Sequence, residues 1–301
     1  MAAAVPPRAP QGWRRPASPA PSEIRTARTV RPRGSARLSC LLPSSALAQR
    51  PPGGLSSPSK QETPHMTRKS VFVTDLRGFA NADVARHLGA SGARVIACDP
   101  AIDRHGEEGG IEVLAWADPR VLVERAVERF GGRLDAIFIA PAMPAPRTPA
   151  DELTVDQLMP FYQRLAAEAL VFASAAAKAM RPRKSGRIVF GTSATPMGGG
   201  PGFIAYVTAR SAVNGAVRSL ALELARDGIS VNAVAPNYVQ TETYYPQSLL
   251  DDPVKGPKLL SRIPLGRLGR ASEVAAVAEL LTLGDSAFLT GQVIQMSGGW
   301  S

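Results

Sequence analysis

Ser70-Val71-Phe72-Val73-Thr74-Asp75-Leu76-Arg77-Gly78-Phe79-Ala80-Asn81 is the stretch on which the reading of the fold turns. Its first five residues are an apolar, β-branched and aromatic run, which predicts a strand. A polar turn follows, and a helical pattern begins near Asn81 and runs to Gly89. Working outward, strands are expected at Arg94–Cys98, Ile111–Ala115, Asp135–Ile139, Arg187–Gly191, Ser230–Ala235 and Gly291–Met296. Helices are expected at Pro119–Phe130, Val155–Met180 and Tyr206–Arg226, and Gln247–Leu260, with Pro253 and Pro257, reads as a loop over the site. Strands alternating with helices imply an α/β, doubly wound parallel sheet covered on both faces, with ligands beyond the C-terminal strand ends.

Composition divides the 301 residues unevenly. Residues 1–65 hold twelve of the 27 prolines and ten Lys or Arg against two acids, Glu23 and Glu62, so this segment carries +8 of the net +10. The basic balance therefore belongs to the extension, and the remainder gives no reason to expect nucleic acid or membrane as a partner. The extension lacks an apolar period that would offset chain entropy, and it is expected to be disordered. Its Arg- and Ser-rich, acid-poor makeup is shared by transit peptides, and an Arg-rich arm suits anionic polymers; the reading preferred is a true start near Met66. One domain is expected over residues 66–301. No run of ~18 uncharged apolar residues occurs. The two cysteines, Cys40 and Cys98, and the scattered His65, His87 and His105 form no metal or redox spacing, so a reduced, cytoplasmic setting without a bound metal is expected.

In a Rossmann-like sheet the turn after the first strand normally carries glycines that let backbone approach a pyrophosphate at a helix N-terminus. The chain is similar to the short-chain dehydrogenases, which have Thr-Gly, three residues, then Gly-x-Gly at this turn. Here Asp75, Phe79 and Asn81 stand at those three positions. A carboxylate would face phosphate, and an aromatic ring would fill cofactor space. Pro236-Asn237-Tyr238-Val239-Gln240-Thr241 departs from the Pro-Gly-x-Val-x-Thr loop beside the nicotinamide, and Ala140-Pro141-Ala142-Met143 departs from Asn-Asn-Ala-Gly. The helix Val155–Met180 has no asparagine to relay protons. These departures lead to the expectation that no cofactor is bound. Arg77 pairing an extra phosphate, and Asp99 holding a ribose, belong to the alternative of a divergent NADP site.

Ser193 and Tyr206 are separated by twelve residues, and Arg210 lies four positions beyond Tyr206, one turn along the same helix face. Serine, twelve residues, tyrosine, three residues, arginine resembles the halohydrin dehalogenases. Thr192-Ser193-Ala194-Thr195-Pro196, Pro236-Asn237-Tyr238 and Thr74-x4-Phe79 resemble that family's serine, halide and N-terminal segments. Asn81 departs from the last of these, where a glycine is usual.

The residue types suit the chemistry. A tyrosine hydroxyl ordinarily titrates near ~10. A fixed guanidinium one turn away favours its anion, making it a base for a substrate hydroxyl held by serine. The resemblance implies cofactor-free conversion of vicinal halohydrins to epoxides and halide, and ring opening by azide, cyanide, nitrite or halide in reverse. It implies Ser193, Tyr206 and Arg210 as catalytic residues. A halide pocket of Phe79, Pro236, Asn237, Tyr238, Val239 and Tyr245 would use backbone N–H groups around Tyr238 and Val239. Met143, Pro144, Thr195 and Tyr244 would line the substrate space. A homotetramer, a dimer of dimers paired through the two long helices around the serine strand, is the expected assembly, to which a C-terminus stopping at Ser301 contributes little. An NADP-dependent short-chain oxidoreductase and a catalytically silent binding subunit are the two alternatives.

Overall fold

A computed structural model describes residues 68–301; the readings made of residues 1–65, and Met66 as a start, lie outside the described residues. The chain runs β1 (Ser70–Val73), α1 (Asn81–Ala90), β2 (Arg94–Cys98), β3 (Gly106–Glu108), β4 (Ile111–Leu114), α2 (Pro119–Arg129) and β5 (Ala136–Ile139). The long predicted helix follows as α3 (Val155–Phe161), a π-helical segment (Tyr162–Ala167) and α4 (Glu168–Met180). Then come β6 (Gly186–Gly191), α5 (Thr195–Gly198), α6 (Ile204–Leu224), β7 (Ile229–Pro236), α7 (Gln247–Asp251), α8 (Lys255–Leu260), α9 (Ala271–Thr282) and β8 (Val293–Met296).

The sheet order is β3-β4-β2-β1-β5-β6-β7-β8, parallel throughout except for β3 against β4. Progression reverses between β1 and β5, which pair directly through Val71–Ala136, Phe72–Ile137 and Val73–Phe138. That reversal opens a crevice above the C-terminal strand ends. The central strands are buried on both faces, so β1, β5 and β7 read as unbroken apolar or small-residue runs. On one side Val84 and Leu88 of α1 pack with Val274, Ala278 and Leu281 of α9 against the sheet. On the other, α2, α4 and α6 cover it, with Phe172 of α4 against Phe72 at 6.3 Å between ring centroids. The alanines of α4 (Ala169, Ala173, Ala176) are buried and let that helix lie close.

Several elements differ from the sequence expectation, among them the short α5 and the π-helical turn within the long helix. The segment expected to be a loop, Gln247–Leu260, carries the short helices α7 and α8. Helix α9 was not expected, though its 3.6-residue apolar period is present, and its start is held by the Arg270 N–H donating to the Glu273 carboxylate. Strand β3 is a Gly-Glu-Glu segment with no apolar alternation, and it is extended because its backbone completes a hairpin with β4. Among the described residues, no helix is long and apolar enough to cross a membrane.

Candidate active site

Strands β5 and β6 end side by side. At Gly191 a Cβ would come within 2.4 Å of the Ala140 side chain, so glycine is what lets the two ends converge. Ser193 follows two residues later and is buried. Its Oγ lies 2.7 Å from Thr195 Oγ1 and accepts the Thr195 N–H at 3.1 Å. Helix α6 brings Tyr206 and Arg210 to the same place. Arg210 is buried, and its guanidinium donates to the carbonyls of Gly191 (3.1 Å) and Pro141 (2.8 Å). Those bonds fix the cation 5.3 Å from the centre of the Tyr206 ring. Its Nε is left without a hydrogen-bond partner. A permanent charge held by two neutral carbonyls, with no carboxylate to cancel it, is free to stabilise an anion beside it.

The β1–α1 turn is closed. Asn81 points its amide nitrogen at three backbone carbonyls, those of Asp75 (2.8 Å), Ala140 (2.9 Å) and Thr74 (3.2 Å). A Cβ on Gly78 would stand 2.9 Å from the Asp75 carbonyl oxygen and 3.0 Å from the Asn81 amide nitrogen, so the turn is packed to its limit. Asp75 adopts φ = 54°, a conformation rare outside glycine, and its buried carboxylate pairs with Arg164 of the π-helical segment, which also pairs with Glu168. Asp99 accepts the N–H groups of Arg77 and Ala101, and Arg77 itself pairs with Glu108. The backbone donors and glycine cradle that a pyrophosphate needs are therefore replaced, and the two groups that would serve a ribose or an extra phosphate are engaged within the fold. The residues present do not fit a dinucleotide. Phe79 lies edge-on to Tyr244 at 5.6 Å, inside the cavity.

The opposite wall comes from the segment after β7. Tyr238 adopts φ = 55°, and its N–H donates to the Asn237 side-chain oxygen at 2.9 Å. The Asn237 N–H donates to Met296. Of the N–H groups expected to face a halide, that of Tyr238 is thus satisfied within the protein. Val239 is also placed differently from the expectation: it is buried behind the wall, bridged to Gly269 and packed in the core. What faces the cavity instead is aromatic. Tyr238 stands 5.7 Å from Tyr245 and 5.5 Å from Trp300, and Trp300 lies over Gly198, where a Cβ would meet its ring at 2.3 Å. Trp300 was missed in the sequence; a lone tryptophan after a terminal Gly-Gly carries no local sign of where it packs.

Burial, then the neighbouring Tyr238 and Tyr206, push the Tyr245 hydroxyl up to about 12 against the opposing Arg262, so it stays a neutral donor. Burial raises Tyr244 as well, followed by Tyr206, with Arg210 opposing.

These residues surround one cavity of about 920 Å³. Ser193, Tyr206, Arg210, Phe79, Pro236, Asn237, Tyr238, Tyr245, Met143, Pro144, Thr195 and Tyr244 all line it, and Leu259 and Arg262 enter from α8 and the turn after it. Among the described residues, no group of three or more His, Cys, Asp or Glu is placed to hold a metal ion.

A family model described as enoyl-(acyl carrier protein) reductase matches residues 73–301. The 4-formylbenzenesulfonate dehydrogenase of Comamonas testosteroni is 30% identical over 249 residues, covering 78% of this chain and 98% of its own. A solved structure described as a dehalogenation enzyme is 36% identical, with a TM-score of 0.73, over 78% of this chain and 98% of that one. Halohydrin dehalogenase HheC bound to ethyl (2S)-oxiran-2-ylacetate is 26% identical, with a TM-score of 0.71, over 76% and 96%.

Proposed function

The chain belongs to the enoyl-(acyl carrier protein) reductase family of short-chain dehydrogenases and reductases, and within it we propose a cofactor-independent halohydrin dehalogenase. The observation that carries this reading is the Asn81 amide spanning three carbonyls in a filled β1–α1 turn, on the same cavity as Ser193, Tyr206 and Arg210. Hydride chemistry needs the first region open; intramolecular displacement needs only the second. The 36% identity to a dehalogenation enzyme agrees with it.

Ser193 holds the oxygen of a vicinal halohydrin, with Thr195 orienting the serine hydroxyl. Tyr206, with the Arg210 guanidinium beside its ring, takes the hydroxyl proton. The alkoxide oxygen bonds to the adjacent carbon as the carbon–halogen bond breaks, and the halide leaves with the bonding pair. Nucleophile and leaving group share one molecule, so positioning supplies much of the rate. The halide departs into the space between Phe79 and the Pro236–Tyr238 wall, with the neutral Tyr245 hydroxyl of the same cavity as its donor. In reverse, Tyr206 protonates an epoxide oxygen while azide, cyanide, nitrite or halide opens the ring. The reading carries with it a homotetramer paired through the helices flanking β6, on which Met159 and Leu222 are exposed, and a cytoplasmic setting.

Full-length protein incubated with a vicinal bromoalcohol and no nicotinamide is expected to release bromide and epoxide in equal amounts, and Tyr206→Phe to release neither. NADPH-dependent carbonyl reduction without halide release would instead establish the reductase that curated relatives resemble.

A further inference from the structure

The cavity is larger and more one-sidedly charged than a short neutral halohydrin requires. A volume of about 920 Å³ is in the range of drug-sized ligands. Three guanidiniums line it, those of Arg147, Arg210 and Arg262, and among the described residues that line it there is no carboxylate. Arg210 is committed to backbone carbonyls beside Tyr206. Arg262 acts on the Tyr245 side, where the halide would leave.

Arg147 stands apart from both. It is exposed at the mouth, and its guanidinium lies over the Phe203 ring at 5.0 Å, a contact that holds the long side chain in place. The neighbouring Gly202, at φ = 80°, packs against its Cβ side: a Cβ there would come within 3.3 Å of it. Among the described residues Arg147 has no ion-pair partner within 4.0 Å, although Asp156 lines the same side pocket. That pocket, of about 400 Å³, shares Met143, Ala145, Arg147, Phe203 and Tyr206 with the main cavity. A molecule whose reacting hydroxyl lies between Ser193 and Tyr206 therefore has a path past Tyr206 that ends at an unneutralised, oriented cation.

The geometry points to an anionic substrate, a halohydrin or epoxide bearing a carboxylate that pairs with Arg147. This assignment rests on the dehalogenation reading and names its substrate class. A planar guanidinium suits a carboxylate by a two-pronged hydrogen bond, and Asp156, which lines the side pocket, forms no ion pair with it within 4.0 Å among the described residues. The same cation also suits an incoming anionic nucleophile, so the test separates the two sources.

The full chain is assayed with 4-chloro-3-hydroxybutanoate and with its methyl ester, as wild type, Arg147→Gln and Arg147→Lys. The expected result is a wild-type preference for the acid that falls about fivefold in Arg147→Gln, through KM rather than kcat, and is largely restored by Arg147→Lys; fivefold is the upper range for an exposed ion pair. An unchanged acid-to-ester ratio overturns the assignment. So does a raised KM for azide in the opening of a neutral epoxide with no change in that ratio, which would give Arg147 to the nucleophile. Halide release from no substrate at all would sink the dehalogenation reading itself. Calorimetric binding of 3-hydroxybutanoate against its methyl ester then decides the anion site alone: tighter acid binding lost in Arg147→Gln keeps it, and equal binding removes it.

Discussion

The β1–α1 turn and the β6–α6 segment face each other across one cavity and have been treated differently. At the first, side chains fill what backbone donors and open space would otherwise supply: Asn81 binds three carbonyls, Asp75 is locked to Arg164, and Phe79 projects inward. At the second, a hydroxyl, a phenol and a fixed cation remain in reach of one ligand. Binding a dinucleotide and moving a proton are thus carried by separate parts of this fold. Closing one end does not dismantle the other.

The largest effect expected on this comparison comes from the proton-transfer end. Tyr206→Phe should lower the rate of halide release by about 10³-fold, the middle of the range for a general base. Arg210→Gln should approach it. Neither should abolish folding, which thermal unfolding checks. A Tyr206→Phe variant that retained full release would separate the phenol from the chemistry.

At the other end the expected losses are in stability. Asn81→Ala takes the amide donor from the Thr74 and Ala140 carbonyls, while the Asp75 carbonyl keeps the Gly78 N–H, and should cost about 2 kcal/mol by denaturant titration. Asp75→Ala takes from the half-buried Arg164 one of its two carboxylate partners, Glu168 remaining, and should cost about 1.5 kcal/mol. Arg164→Met on that background should cost further stability, because it leaves the Glu168 carboxylate without its partner. Asn81→Gly, by contrast, tests whether space alone reopens the site; nucleotide binding gained by this one change would show that the two ends are less separate than the geometry indicates.

Smaller still is the effect of Tyr245→Phe. With its hydroxyl pushed up to about 12 by burial and the neighbouring tyrosines, Tyr245 remains a donor through the working range. The variant should weaken bromide binding about fivefold by removing one charge-assisted hydrogen bond, equally at pH ~6 and pH ~9. A loss confined to one of those pH values would assign the donor elsewhere.

The smallest lies behind the wall. Hydrogen bonds from Arg267 and the Arg270 N–H hold the Glu273 carboxyl down at about 2, from an ordinary value of 4.5. A carboxylate depressed in the fold contributes stability that is complete above about 4.5 and is lost as pH falls toward about 2. After screening by solvent this amounts to roughly 1 kcal/mol. Glu273→Gln should narrow its gap to wild type in melting temperature across that window, and a gap that widened on acidification would reverse the sign.

How much of this was legible in the sequence follows from the range of the forces. The parallel strands were readable because burial on both faces leaves unbroken apolar runs, as in Ala136–Ile139. Tyr206 and Arg210 were readable as a pair because one helical turn joins them. The replaced glycines announced a changed turn. What they became was not readable: Asp75 meets Arg164 across 89 residues, from a π-helical segment with no local signature. Trp300 reaches the cavity only through the packing of the C-terminal turn on Gly198. Val239 follows from the left-handed bend at Tyr238, which turns the next residue onto Gly269 and into the core, and such a bend is not written in the residue types. Helix α9 is different, since its apolar period was legible in the sequence.

If halide occupies the space a nicotinamide would need, the two compete or exclude each other, and the filled β1–α1 turn leaves exclusion. Titrating the full chain with bromide and, separately, with NADPH decides it, following the fluorescence of the tryptophans, of which Trp300 lines the cavity. Saturable quenching by bromide, with no response to NADPH and no loss of bromide binding in its presence, is the predicted result. Tight NADPH binding that displaces bromide would contradict it.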